Sequence, residues 1–109
     1  MAREQFQTLT EPMYYILLAL LQERCGVDIM SCVMEISHGR ISVGPGTLYA
    51  MLPKFEAGRM IRKTRQEGRQ KWYIITDKGR QMLLDEHARL CRMIEDATFL
   101  LSANQDSSS

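Results

Sequence analysis

The basic side chains of this 109-residue chain are concentrated between positions 40 and 80. That stretch holds ten lysines and arginines against three acidic residues, whereas the remainder of the chain holds four basic and ten acidic residues. Clustered guanidinium and ammonium groups neutralise polyanions, of which the phosphate backbone of nucleic acid is the commonest. The distribution therefore predicts a polyanion contact made by one part of the molecule, although a merely solvated basic face would have the same composition.

Side chains that usually carry catalysis or bind metals are few. The two histidines, His38 and His87, belong to no Ser/His/Asp or Cys/His arrangement of the kind that nucleophilic enzymes use. We therefore expect no enzymatic activity and no cofactor. His87 and Cys91 lie four residues apart on one helix face, and two copies of the chain could place four such ligands around zinc or copper. The other interpretation is a polar position beside a half-buried thiol.

Cysteine usage and hydropathy indicate the compartment. Cys25, Cys32 and Cys91 form no close pair, which is typical of unpaired thiols in a reducing compartment. The longest apolar run, 16–21, is much shorter than the roughly 20 residues that a membrane-spanning helix needs. The polar N-terminus lacks the apolar core of a signal peptide. These features predict a cytoplasmic protein.

Hydrophobic periodicity predicts helices in the first half of the chain. A first helix is expected from the Thr10 cap to about Arg24, and a second over 27–37. The alternation at 40–43 suggests a brief strand. The turn at 44–46, Gly-Pro-Gly, then leads into a third helix that ends at Gly58.

The period changes after this third helix. Two strand-favouring runs, 60–66 and 71–76, flank a turn in which Gly68 can adopt a positive φ, so a β-hairpin with a positively charged tip is expected. Thr76 can cap a long last helix, expected to extend to about Leu101. Residues 1–8 are polar and are expected to fray, and the polar C-terminal residues are expected to be disordered.

This order of elements is that of a winged helix-turn-helix. The expected fold is mainly α with a small β-hairpin, followed by a long C-terminal dimerisation helix. The expected boundaries are 1–76 for the DNA-binding domain, 77–103 for the dimerisation helix and 104–109 for a disordered tail. In such folds the third helix enters the major groove, and the hairpin is the wing that reaches the DNA backbone or the adjacent minor groove.

A helical wheel of the third helix separates a core face from a face available to DNA. Leu48, Leu52 and Phe55 form the inner side, whereas Thr47, Tyr49 and Ala50 lie in the N-terminal turns that read base edges. Glycines before the helix let backbone N–H groups approach a phosphate. The predicted DNA-contacting residues are Ser42, Gly46, Thr47, Tyr49, Ala50 and Lys54, together with Arg62, Lys63, Arg65, Arg69 and Lys71 of the wing.

Two helices have more apolar surface than one small chain is expected to cover. The first helix is apolar nearly all round, and the last has a heptad-like seam with alternating spacings of four and three. We therefore expect a homodimer. The predicted dimerisation residues are Tyr14, Leu17, Leu83, Leu90, Ile94, Ala97 and Leu101.

Four segments taken together resemble the PadR family of transcriptional regulators. They are LTEPMYYILLALL, GPGTLYAML, GRMI and KWYIITDKG, and the resemblance extends over about residues 9–100. It implies a homodimer held by the first and last helices, which binds a palindromic operator, usually as a repressor. The short C-terminus resembles the compact subgroup with one terminal helix.

The resemblance also implies a small-molecule effector, because such regulators commonly sense one. Tyr14, Tyr15, Met93 and Phe99 could line its pocket, although such a stripe is more often dimer core. Two features depart from the family pattern. Ala50 stands where many members have proline, and CGVD stands where many have a His-Gly-Tyr-type start of the second helix.

Other functions compete with the regulator interpretation. One is a winged-helix adaptor that binds protein instead of DNA, and its binding would lack a steep salt dependence. Another is a metal or redox sensor that uses no organic effector. An RNA-binding winged helix is a further alternative, but a long dimer helix favours the spaced half-sites of duplex DNA.

Overall fold

Four helices and one small antiparallel sheet make up the part of the chain that the computed structural model describes, residues 8–108. The sheet order is β1-β3-β2. This arrangement confirms the predicted mainly α fold with a hairpin, while residues 1–7, where fraying was expected, lie outside the described residues. The elements are α1 (Glu11–Ala19), β1 (Arg24–Cys25), α2 (Gly26–Ile36), α3 (Pro45–Ala57), β2 (Ile61–Glu67), β3 (Gln70–Ile75) and α4 (Asp77–Ser108).

Helix α1 begins where the sequence predicts but ends earlier. The Thr10 hydroxyl accepts a hydrogen bond from the Met13 N–H group at 3.3 Å, as an N-cap should. The helix stops at Ala19 rather than near Arg24, because the Leu20 carbonyl accepts the Ile75 N–H group of β3 at 2.8 Å. The Arg24 side chain then donates from Nε to the Ala19 carbonyl at 2.7 Å and so satisfies one helix-terminal acceptor.

The third strand of the sheet is not the one that the sequence predicts. Arg24 and Cys25 pair with Tyr73 and Trp72 of β3, whereas 40–43 contains no strand. A local side chain explains the difference, since the Ser37 hydroxyl bonds both the N–H group and the carbonyl of Ile41. Backbone groups that a buried serine satisfies have no need of a sheet partner.

The core lies between the first three helices and the sheet. The inner face of α3 is buried as predicted, with Leu48, Leu52 and Phe55 at most 1% exposed. Two predicted dimerisation residues also belong to this core, since Leu17 is 0% and Leu83 5% exposed in the single chain. Their assignment to the dimer surface is therefore wrong, because the helices of one chain already cover them.

Strands β2 and β3 form the predicted hairpin. Gly68 at its tip has φ 60°, a conformation that suits glycine, and the register is irregular between Lys63 and Arg65. Tyr73 on the inner face is buried, whereas Trp72 is half-buried. One face of the wing therefore packs against the core, and the other face is exposed to solvent.

Helix α4 starts against the base of the wing. The Thr76 hydroxyl accepts the Gly79 N–H group at 3.1 Å, as predicted for a cap, and donates to the Arg59 carbonyl at 2.6 Å. The backbone of Gly79 lies directly on the Met60 carbonyl, so closely that a Cβ would collide with it. The start of α4 is thereby held rigidly against the start of β2.

The distal part of α4 extends away from the rest of the chain. Leu90 is its last half-buried residue, and every described side chain from 91 to 104 is exposed. The helix continues to Ser108, whereas the sequence predicts a tail without regular structure from residue 104. No glycine or proline interrupts the sequence after Leu101, and an existing helix extends readily residue by residue.

A buried carboxylate joins α4 to the segment that precedes α1. Glu86 is 5% exposed, and the Arg89 side chain donates to its two oxygens at 2.9 and 2.6 Å. The hydrogen bond from Arg89 lowers the pKa of Glu86, burial opposes this, and the Leu9 backbone also contributes to the lowering. The carboxylate form is therefore favoured by the fold.

We expect Glu86 to make the stability of the protein sensitive to acid. Because its folded pKa is below its unfolded pKa, its contribution is present above the unfolded value and is lost as the pH falls through the folded one. Thermal unfolding of Glu86→Gln should therefore show a shallower loss of Tm below about pH 5 than the wild type. Glu95→Gln, at an exposed site on the same helix, is the control. Parallel profiles for all three proteins would contradict the assignment.

Candidate nucleic-acid interface

All of the DNA-contacting residues that the sequence predicts are exposed in the structure. They occupy two adjoining surfaces, the outer face of α3 with the loop before it, and the wing. The same helix buries its opposite face in the core, so α3 is anchored on one side and open on the other. This is the arrangement that a recognition helix requires.

The turn before α3 leaves its first backbone N–H groups accessible. Gly44 is the N-cap, and no side chain caps the helix there. A Cβ added at Gly44 or Gly46 would meet nothing within 4 Å, so open space surrounds both glycines. No acidic residue lies in the first turn, and Ser42 is exposed just before it. An uncapped helix N-terminus of this kind suits a phosphate.

Tyr49 does not project freely from α3. Its side chain is 54% exposed, and its hydroxyl end lies against Gly26, the first residue of α2. Tyr49 lines a groove of about 220 Å³ between α2, α3 and the wing. The other lining residues are Gly26, Val27, Leu52, Pro53, Arg69, Gln70, Lys71 and Tyr73.

The buried Tyr73 lines this groove, and its hydroxyl is uncharged. Burial raises the pKa of its hydroxyl, and the nearby Glu56 and Tyr49 raise it further. The groove therefore carries the positive charge of Arg69 and Lys71 without an opposing phenolate at neutral pH.

The basic side chains of the wing are not equally available to a ligand. The Arg65 guanidinium lies over the Trp72 ring at 3.8 Å and donates to Glu67 at 2.8 Å, while Lys63 donates to Gln66 at 3.0 Å. By contrast, some basic groups on this side have no hydrogen-bond or ion-pair partner within residues 8–108. These are Lys54, Arg62, Arg69 and Lys71.

Arg40 is the one member of the basic stretch that is tied to α1. It donates to Glu11 and to the Tyr15 hydroxyl, at 2.9 Å in each case. The hydrogen bond to Glu11 raises the pKa of Arg40, followed by the influence of Tyr15. The charge of Arg40 is thus partly neutralised by Glu11 of the same chain, which sequence composition alone did not reveal.

Sequence reasoning assigned no binding role to several residues that line this groove. Gly26 and Gln70 both line the groove, and the Gln70 amide donates to the Cys25 thiol at 3.2 Å. The Cys25 thiol in turn donates to Asp28 at 3.3 Å. The sequence signal for Gly26 was its position in CGVD between two helices. That position predicts a helix boundary but does not indicate which side chain packs on the glycine.

The His87–Cys91 pair is close but incomplete as a metal site. The Cys91 sulfur lies 3.9 Å from each ring nitrogen of His87, and both residues are exposed. Within the described part of the chain, no three His, Cys, Asp or Glu side chains come together as metal ligands. A metal site at this pair would therefore need further ligands from outside the described residues.

Several apolar side chains on the distal half of α4 are open to solvent. Five of the predicted dimerisation residues are at least partly exposed, and Ile94 and Leu101 are 63% and 64% exposed. Met93, Phe99 and Leu100 are exposed beside them. None of the described helices is both long and apolar enough to cross a membrane.

Comparison with known proteins identifies relatives of the chain. Residues 16–85 match the family model described as the transcriptional regulator PadR-like family. The chain is also 32% identical over 68 residues to an uncharacterised 37.1 kDa protein of transposon TN4556 from Streptomyces fradiae. That alignment covers 62% of this chain and 19% of the relative, so the chain spans about a fifth of the relative's length.

Solved structures share the fold. RosR of H. salinarum has a TM-score of 0.68 at 19% identity, covering 94% of this chain and 98% of that one. A PadR-like transcription factor of Bacteroides fragilis has a TM-score of 0.67 at 24% identity, with 80% and 86% covered. Bacillus subtilis PadR in complex with operator DNA has a TM-score of 0.55 at 26% identity, with 87% and 61% covered. These likenesses confirm the winged-helix architecture.

Proposed function

Because the chain belongs to the transcriptional regulator PadR-like family, we propose that it binds operator DNA sequence-specifically as a homodimer and represses transcription. It is a regulator and not an enzyme. The observation that carries the proposal is the open N-terminal half of α3 beside a wing with unpaired basic groups. Bacillus subtilis PadR, which shares this fold, has been solved with operator DNA.

In this proposal the two surfaces have separate tasks. The N-terminal turns of α3 enter the major groove, where Thr47, Tyr49 and Ala50 meet base edges and Lys54 meets a phosphate. Ser42 and the backbone at Gly46 hold a phosphate at the start of the helix. The wing residues Arg62, Lys63, Arg65, Arg69 and Lys71 neutralise the backbone, with the unpaired groups contributing most.

We infer that the second copy of the chain covers the distal part of α4. The apolar residues there are exposed to water in a monomer, and packing against a partner helix would bury them. Tyr14, Leu90, Ile94, Ala97 and Leu101 remain the proposed interface. Residues 1–76 then act as the DNA-binding domain and 77–103 as the dimerisation helix, and the regulator works in the cytoplasm.

Release by a small-molecule effector is part of the same proposal. A groove of about 300 Å³ lies between α1 and α4, lined by Leu9, Glu11, Tyr14, Tyr15, Glu86, Arg89 and Leu90. The two tyrosine rings suit an aromatic compound, whereas Arg89 is already paired with Glu86. Screening such compounds by thermal shift tests this, since a true effector raises Tm and lowers DNA affinity, whereas Tyr14→Ala abolishes both effects.

The operator proposal is tested by binding duplex DNA over a range of salt concentrations. A duplex from the upstream region of the gene, or one selected from a random pool, should bind far more tightly than a scrambled duplex. A steep decrease of affinity with salt is expected, because bound phosphates release counterions.

Arg69→Ala should flatten that salt dependence. Arg69 is exposed near the wing tip and has no ion-pair partner in residues 8–108, so we assign it one phosphate contact. The slope of log affinity against log salt should fall in magnitude by about one, with similar losses for specific and scrambled duplexes. Arg92→Ala, on the exposed part of α4, removes the same charge and should leave the slope unchanged.

One result would contradict the regulator proposal, and another would contradict the role assigned to the wing tip. A random-pool selection that returns no sequence motif would favour the adaptor interpretation, in which the basic surface binds a protein. Equal slopes for Arg69→Ala and the wild type would remove the wing tip from the interface.

A further inference from the structure

The position of Tyr49 depends on the absence of a side chain at Gly26. If a Cβ is built on Gly26, it collides with the Tyr49 hydroxyl and lies 2.9 Å from Cζ and 3.2 Å from Cε1 of the same ring. Real Cβ atoms do not approach other heavy atoms so closely, so the ring occupies the space that a side chain would take. The tip of the recognition-helix tyrosine therefore rests on the first turn of α2.

The Gly26 backbone itself does not require glycine. Its φ lies outside the positive range, and it is the first residue of an α-helix, where alanine is a better helix former. The three heavy atoms that such a Cβ would lie closest to all belong to the Tyr49 side chain. Because that neighbour is the far end of a rotatable side chain, the chain can accommodate alanine by swinging the ring outward.

The Tyr49 ring also forms part of the wall of the groove. Tyr49 lines it together with Pro53, on the next turn of α3, and with the buried Tyr73 of β3. Pro53 has no N–H group to donate to the Tyr49 carbonyl, so the hydrogen bond that would normally stiffen this turn is missing. The tip of the ring lies against Gly26, which therefore limits how far the hydroxyl can move toward α2.

We propose that Gly26 is a positioning residue for DNA recognition, since it seats the Tyr49 ring against α2 and so sets where the Tyr49 hydroxyl meets the operator. This rests on the proposed function, in which Tyr49 contacts DNA. Gly26 itself touches no base. Its effect on binding passes entirely through Tyr49.

The experiment is a double-mutant cycle with Gly26→Ala and Tyr49→Ala, combined with NMR of tyrosine rings in the free protein. Gly26→Ala should keep the wild-type fold by circular dichroism, shift the Tyr49 ring signals and weaken operator binding about tenfold, which is within the effect of one recognition contact. In the Tyr49→Ala background, Gly26→Ala should cause no further loss of binding. If Gly26→Ala alone fails to fold, the double variant should fold again because the obstructing ring is gone.

Two outcomes overturn the proposal. Tyr49 signals that do not move in Gly26→Ala would show that the ring does not rest on Gly26. An equal loss of affinity in both backgrounds would show that Gly26 acts on DNA independently of Tyr49. The NMR measurement needs no DNA, so failure of the wild type to select an operator would remove the proposed function while the contact itself is still tested.

Discussion

A chain carrying Ile94→Asp and Leu101→Asp should be monomeric and should bind the operator at least about 100-fold more weakly than the wild type, because linked half-sites add factors of this size. Both side chains are more than 60% exposed in the single chain, so the substitutions remove little packing within it. In a dimer buried at these positions, unpaired carboxylates would be costly. The expected variant is a folded monomer.

Light scattering after gel filtration measures the oligomeric state, and duplex titration measures the loss of affinity. The matched control is Ala88→Asp with Ala103→Asp, which adds the same charge at two exposed positions on the side of α4 away from the seam. The control should remain dimeric. If both variants remain dimeric and bind equally well, the dimer interface lies elsewhere.

Gly79→Ala is expected to have the largest effect on stability. The new methyl group would collide with the Met60 carbonyl and lie 2.8 Å from Cγ1 of Ile75. The Met60 backbone cannot easily withdraw, because its N–H group bonds the Phe55 carbonyl and its carbonyl accepts the Thr76 N–H group, each at 2.9 Å. Such overpacking costs about 2–3 kcal/mol, which corresponds to a decrease of roughly 10–20 °C in Tm.

The stability measurement is thermal unfolding at one fixed protein concentration, since dimerisation makes Tm concentration-dependent. Gly46→Ala is the control for stability, because a Cβ there meets nothing within 4 Å and alanine favours the helix. It should unfold at the wild-type temperature or slightly above. A wild-type Tm for Gly79→Ala would mean that α4 does not start against Met60.

The sequence predicted well those features that depend on neighbouring residues. The inner face of α3 follows from helical spacing of Leu48, Leu52 and Phe55, and the hairpin from two strand-favouring runs around Gly68. Charge clustering likewise indicated the wing. The first two patterns are each contained in fewer than about twenty consecutive residues, so periodicity and turn preferences were sufficient for them.

The features that the sequence did not reveal depend on contacts between distant segments. Helix α1 ends at Ala19 because Leu20 pairs with Ile75, which is far along the chain. The apolar pattern predicted that Leu17 and Leu83 are buried but did not indicate that residues of the same chain bury them.

The candidate DNA surface shows the same division between sequence and tertiary structure. Helical spacing alone placed Ala50 opposite the core face of α3 and Thr47 and Tyr49 at its edges, and the structure has all three exposed. The seating of Tyr49 on Gly26, by contrast, requires α2 and α3 to be packed together. Local propensity is set by each residue and its neighbours, whereas the partner of a side chain is decided only when the chain brings distant segments into van der Waals contact.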